Sequence, residues 1–172
     1  MLMDDLKGRK QLLGLSGLRR GRILDMGMGD CGCMSFFLAK RGFDVTGIDS
    51  SSQAVHKCKE EAKHKKVKGS FRARRMNAKK TLFEDESFDA VLSYHSLHDM
   101  ADPDKVIKEM FRVCKKRGLV VISDLNARGR REYEHAPCER FLPNVERRLR
   151  KYAKSIRKAK TDINEMFVCE KK

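Results

Sequence analysis

The apolar run Arg22-Ile23-Leu24-Asp25-Met26 stops at three glycines within six residues, Gly27, Gly29 and Gly32. A short strand that ends this way must turn sharply and leave its backbone open to close approach, because glycine accepts left-handed conformations at little cost. A second apolar run, Phe43–Ile48, follows, and Asp49 closes it some twenty positions beyond the turn. Strand, glycine turn, helix, strand and acid is the order in which a parallel α/β sheet binds a ligand at the carboxyl ends of its strands.

The rest of the chain keeps that alternation. The spacing predicts a helix over Leu6–Leu18, a strand over Arg22–Met26, a helix over Cys33–Lys40, a strand over Phe43–Ile48 and a helix over Ser51–His64. Ser70–Met76 reads as a third strand whose alternating arginines suit an exposed edge. Phe88–Ser93 is a fourth strand and Asp104–Lys116 an amphipathic helix with Val106, Ile107, Met110, Phe111 and Val113 inward. Gly118–Leu125 is a fifth strand, Asn126–Pro137 a loop or irregular cover, Glu139–Arg157 a basic helix interrupted near Pro143, and Asn164–Glu170 a last strand. The expected fold is α/β, a Rossmann-like three-layer sandwich with a mostly parallel sheet, helices on both faces and a reduced C-terminal part. Residues 1–172 form one domain: a covering or lid helix at 1–18, a ligand-binding core at 20–125, and a basic helix with the last strand at 126–172.

Gly27-x-Gly29-x-x-Gly32 fits a dinucleotide fingerprint as well. Asp25 bears on the choice. A pyrophosphate wants amide donors without an anion beside them, whereas a ligand carrying an ammonium and a sulfonium gains from a carboxylate there. Two unit charges about 4 Å apart attract by roughly 4 kcal/mol at an effective dielectric near 20, before desolvation. The structural alternative is that Asp25 only orders the turn through backbone amides.

The stretch ILDMGMGDCGCMSFFLAKRGFDVTGIDSS resembles motifs I and II of the class I S-adenosylmethionine-dependent methyltransferases. MNAKKTLFEDESFDAVLSYHSLHDMADPDKVIKEMFRVCKKRG resembles the third and fourth motifs of their ubiquinone/menaquinone-methyltransferase-like (type 11) branch. The resemblance covers about residues 20–125. It implies a methyltransferase with S-adenosylmethionine as cofactor and S-adenosylhomocysteine as product. Asp25, Met26, Gly27, Met28 and Gly29 would hold the methionine end; Asp49 would bond the ribose, with Ser50 beside the adenine. Asn77 and Ala78 would meet the adenine edge and ring. The family's usual residue at position 77 is Asp, so adenine recognition here is expected to be weaker.

Ser93, Tyr94 and His95 leave the fourth strand at the crevice and would pass near the transferred methyl. His95, His98 and Asp99 are the candidate general bases, a histidine having its pKa near neutrality; the structural alternative for both histidines is to shape or pack the loop. Since the sulfonium is already an activated methyl donor, alignment provides most of the acceleration.

The net charge is +15. Residues 56–80 hold eleven Lys/Arg against Glu60 and Glu61, and residues 126–172 hold fourteen against seven acids. Such clusters read either as solvated helix faces or as docking surfaces for nucleic acid. Their placement toward opposite edges of the expected sheet, with no Trp and three Tyr, argues against one continuous nucleic-acid groove. A small-molecule acceptor is therefore the first expectation. An RNA- or protein-directed enzyme is the second, a cofactor-binding protein without activity the third, and a dehydrogenase a remote fourth. Six cysteines show no C-x-x-C pair, so no metal site is expected and reduced thiols point to the cytoplasm. Cys138, after Pro137, reads as an ordinary thiol. No apolar run is long enough to span a bilayer and the N-terminus lacks a signal-like apolar segment. A lid role for the first helix would make deletion of 1–18 weaken acceptor use more than cofactor affinity.

Overall fold

A computed structural model of the chain describes residues 5–132 and 145–172. Among the described residues seven strands form one sheet in the order β3-β2-β1-β4-β5-β7-β6. They are β1 (Arg22–Met26), β2 (Asp44–Asp49), β3 (Ser70–Arg75), β4 (Phe88–Tyr94), β5 (Cys114–Leu125), β6 (Ala153–Lys160) and β7 (Asn164–Lys171). β1 to β5 pair in parallel, and β7 inserts antiparallel between β5 and β6. The chain moves outward from β1 through β2 to β3, then returns to start again on the other side of β1 with β4. The crevice between the carboxyl ends of β1 and β4 is thus a topological switch point, where open α/β sheets bind ligands.

The helices are α1 (Leu6–Ser16), α2 (Cys33–Ala39), α3 (Ser52–His64), α4 (Pro103–Val113), α5 (Ala127–Glu132) and α6 (Val145–Leu149). Alternation along β1 divides the core. Ile23 turns to the face covered by α1 and α2, with Leu12, Met34, Phe37 and Leu38. Leu24 and Met26 turn to the face covered by α4 and α6, with Val106, Ile107, Met110 and Leu149. α3 closes over the β2–β3 end through Val55 and Cys58 against Met28 and Ala73. Helix ends are capped: the Asp5 carboxylate accepts from Gly8 N, the Ser51 hydroxyl from Ala54 N, and Pro103 occupies the first turn of α4 behind Asp102.

Three expectations need correction. The expected basic helix over 139–157 is, within its described part, only the single-turn α6 followed by strand β6. Ala153, Ile156 and Ala159 recur every third residue and mimic a helix, but β7 offers an antiparallel ladder on which Ser155–Lys160 pair. The expected irregular cover after β5 begins with a helix, α5. The helix before β5 ends at Val113, and β5 starts at Cys114 with a register shift in which Asp89 faces Lys115–Gly118. Residues 133–144, which include Cys138, Pro143 and part of both expected segments, lie outside the described residues. α1 is seated on the sheet by Leu12, which is 1% exposed, so it covers a sheet face, while its first turn forms part of the cavity wall described next.

Candidate functional site

A cavity of about 1590 Å³ opens at the switch point and follows the carboxyl ends of β1, β2 and β4. Its floor is the glycine turn. Gly27 and Gly29 have φ of +79° and +64°, and the amides of Gly27 and Met28 both donate to the Ile48 carbonyl, at 2.9 and 3.1 Å. A Cβ on Gly29 would find nothing within 4 Å, so the turn presents bare backbone to the cavity. At Gly27 a Cβ would meet Met100 Cε at 2.5 Å and Ser96 Oγ at 2.6 Å. Gly27→Ala is expected to destabilise the fold by at least the roughly 1–2 kcal/mol of left-handed backbone strain, with the clash in addition. Thermal unfolding reads this, and an unshifted midpoint would contradict the turn geometry.

Two carboxylates flank that turn. Asp25 is 1% exposed. Its Oδ2 accepts from Ser35 Oγ at 2.6 Å, and its Oδ1 has no hydrogen-bond partner. Burial pushes its pKa up to about 7, against the Ser35 hydrogen bond and helped by the charge of Asp49. Asp49 spans the turn: Oδ2 accepts from Gly29 N at 3.0 Å and Oδ1 from Ser51 N at 2.9 Å. The buried Cys58 thiol donates to the Gly29 carbonyl at 3.3 Å and pins the loop from α3.

Of the residues singled out from sequence, Asp25, Gly27, Met28, Gly29, Asp49, Ser50, Asn77, Ala78, Tyr94, His95 and Asp99 border the one cavity. Asn77 Oδ1 accepts from Lys79 N at 2.9 Å, so its oxygen already orders the loop after β3 and the NH2 group is the part left to bind. Three residues are not brought to the cavity wall. Met26 is fully buried in the α4-side core and contributes only a carbonyl, which accepts from Ser96 Oγ at 3.0 Å. Ser93 is fully buried with its hydroxyl 2.8 Å from that of Ser96, because strand alternation turns it away from the crevice. His98 sits in the turn Leu97–Asp99 and is held by Asp124 of β5. Its Nδ1 lies 2.5 Å from Asp124 Oδ1, its backbone N–H donates to Asp124 Oδ2, and its Nε2 lies 3.3 Å from Asp99. These contacts hold the His98 ring against β5 and away from the cavity wall.

Sequence reasoning missed three contributors. Asp5 and Arg9 bring the first turn of α1 to the cavity, and the Arg9 guanidinium donates to the carbonyls of Asp5 and Cys33. Asn164, fully buried at the start of β7, bonds both Asp5 and His95. Arg9 is one of three cations on α1, with Lys7 and Lys10, and Asn164 is an amide at the start of an apolar strand, and neither pattern marks a site without the fold.

A methyltransferase-domain model matches residues 24–122, more than half of the chain. The chain belongs to that family, whose cofactor is S-adenosylmethionine. It is 34% identical over 110 residues to phosphatidylethanolamine N-methyltransferase of Cereibacter sphaeroides, covering 64% of this chain and 53% of that protein. It is 34% identical over 113 residues to ubiquinone biosynthesis O-methyltransferase of Alkalilimnicola ehrlichii, covering 65% and 44%. The chain thus spans about half the length of these relatives. A SAM-dependent methyltransferase from Aquifex aeolicus superposes with a TM-score of 0.78 at 20% identity, over 94% of this chain and 88% of that one, so the fold is shared.

The residues present fit the cofactor. An unpartnered, buried carboxylate oxygen at Asp25 answers a positive charge, the bare Gly29 backbone leaves room for close approach, and Asp49 keeps acceptor capacity beyond the two amides it already holds.

Proposed function

We propose that this chain transfers a methyl group from S-adenosylmethionine to a small-molecule acceptor. One observation carries the reading: a single cavity of about 1590 Å³ runs from the two acids at the glycine turn to Tyr94, His95 and Asp99. Ligand pockets commonly occupy about 300–1,000 Å³, so the space holds a cofactor and a second molecule side by side. Asp25 faces the ammonium, Arg9 supplies a cation toward the amino-acid carboxylate, and Asp49 accepts from the ribose. Ser50, Ala78 and the Asn77 amide border the adenine, and Tyr94, His95 and Asp99 border the acceptor.

The bound cofactor supplies an activated methyl group. The chain's own work is to align the acceptor with it and to take up a proton where the acceptor must lose one. The relatives' names point to quinone-type and phospholipid acceptors. The basic edges, β3 with Arg72 and Arg74 and β6 with Arg157 and Lys158, stand at opposite ends of the sheet. That separation favours a small acceptor over a tracked polymer. Among the described residues no helix is long and apolar enough to cross a membrane. The described cysteines are free thiols, which suits a reducing, cytoplasmic setting.

Titration with S-adenosylhomocysteine and with NAD, side by side in a calorimeter, tests the cofactor half. Binding of the first and not the second is expected, and the reverse would sink the reading. Transfer of labelled methyl from the cofactor to hydroquinone or phosphatidylethanolamine acceptors tests the other half. Tight cofactor binding with no transfer to any of them would leave a binding protein.

A further inference from the structure

The acceptor end of the cavity carries a polar network drawn from three distant parts of the chain. Asp5 Oδ1 accepts from Gly8 N at 2.8 Å, and Asp5 Oδ2 accepts from Tyr94 Oη at 2.6 Å and Asn164 Nδ2 at 2.7 Å. Asn164 Oδ1 lies 2.6 Å from His95 Nε2. The His95 ring stacks on Tyr94 at 4.2 Å between centroids, and its side chain is 10% exposed.

The network settles where protons sit. Burial disfavours the charged form of Asp5, but the hydrogen bonds from Tyr94, Asn164 and Gly8 outweigh it and hold the carboxyl below its ordinary value. Asp5 is therefore an anion and only accepts. That fixes the Asn164 amide with its NH2 toward Asp5 and its oxygen toward His95. An amide oxygen also only accepts, so the hydrogen between them belongs to His95 Nε2. In the neutral imidazole the other nitrogen, Nδ1, then carries the lone pair.

We propose that Asp5 and Asn164 are positioning residues that lock His95 in its Nε2–H tautomer, making Nδ1 the atom that takes the acceptor's proton during methyl transfer. This rests on the methyl-transfer reading above. The acceptor's X–H bond yields its proton to Nδ1 and its electron pair forms the new X–CH3 bond. The C–S pair stays on sulfur, and the imidazolium afterwards returns the Nδ1 proton to water in the cavity. His98 does not compete for the role, since Asp124 holds its Nδ1 and it lies off the cavity wall. Burial keeps His95 neutral against the pull of Asn164, Asp124 and Asp5, with the nearby His98 acting in the same direction as burial.

Long-range ¹H–¹⁵N spectra of the ¹⁵N-histidine-labelled full chain, across pH and without cofactor or acceptor, read the tautomer directly. The wild type is expected to show neutral His95 protonated at Nε2, with a downfield, slowly exchanging ring N–H. Asn164→Leu is expected to lose that slow signal. Asp5→Asn keeps the helix cap and serves where Asn164→Leu does not fold; it frees the Asn164 amide to rotate, and the slow N–H is expected to weaken. A proton on Nδ1 in the neutral wild type, or a slow ring N–H that persists unchanged in both Asn164→Leu and Asp5→Asn, overturns the proposal. Because no cofactor enters these spectra, failure here is separate from failure of cofactor binding by calorimetry.

Discussion

Affinity for S-adenosylmethionine is expected to rise about tenfold per pH unit between pH 5 and 7 and to level off above, because binding must expel a proton from Asp25. In the free protein that buried carboxyl holds its proton up to about pH 7. A positively charged ligand beside its unpartnered oxygen needs the anion, so below pH 7 the proton has to leave first. Calorimetry in buffers of different ionisation enthalpy counts the proton released. Affinity independent of pH from 5 to 8 would remove Asp25 from the site. Stability carries the opposite sign. Folding raises this carboxyl from 3.8 to about 7, so its stabilising contribution is full below pH 3.8 and is lost as pH rises through about 7. At about 1.36 kcal/mol per unit the loss is roughly 4 kcal/mol. Asp25→Asn is expected to flatten both profiles, making the free protein more stable at pH 8 while weakening cofactor binding there.

The same residue shows what the sequence made legible and why. Asp25, the glycine turn and Asp49 lie within one strand–turn–helix–strand unit, whose periods and breakers are local. Local signals of that kind placed β1, β2, α3, β4 and most of the named residues that border the cavity. Two kinds of information were missing. One was strand formation imposed from outside: Ala153–Lys160 carries a helical spacing and becomes a strand because the apolar β7 needs a partner on its open side. The other was polar pairing across the fold. Asp5 and Asn164 are separated by 159 positions and bond at 2.7 Å; His98 and Asp124 join neighbouring strand ends. Such pairs leave no periodic trace. His98 and His95 looked alike as candidate bases from sequence. Only the partner of each ring nitrogen separates a loop anchor from a cavity wall.

Asp49→Ala is expected to weaken binding of S-adenosylhomocysteine by about 10- to 150-fold, the loss of roughly 1.5–3 kcal/mol for hydrogen bonds to a charged acceptor. The carboxylate has about four lone-pair sites, and two are taken by the amides of Gly29 and Ser51. The remaining two are oriented by those amides and are what a ribose diol would use. Removing the side chain deletes the ribose acceptors and also frees the Gly29 amide, which loosens the bend under the ligand. Asp49→Asn separates these effects. It keeps one acceptor oxygen for the turn and loses the charge, so an intermediate loss is expected. Titration at pH 8, where Asp25 is ionised in free and bound protein alike, isolates the ribose contacts from the proton exchange at Asp25. Equal affinity of wild type and Asp49→Ala under those conditions would mean that Asp49 serves the bend alone and the ribose lies elsewhere.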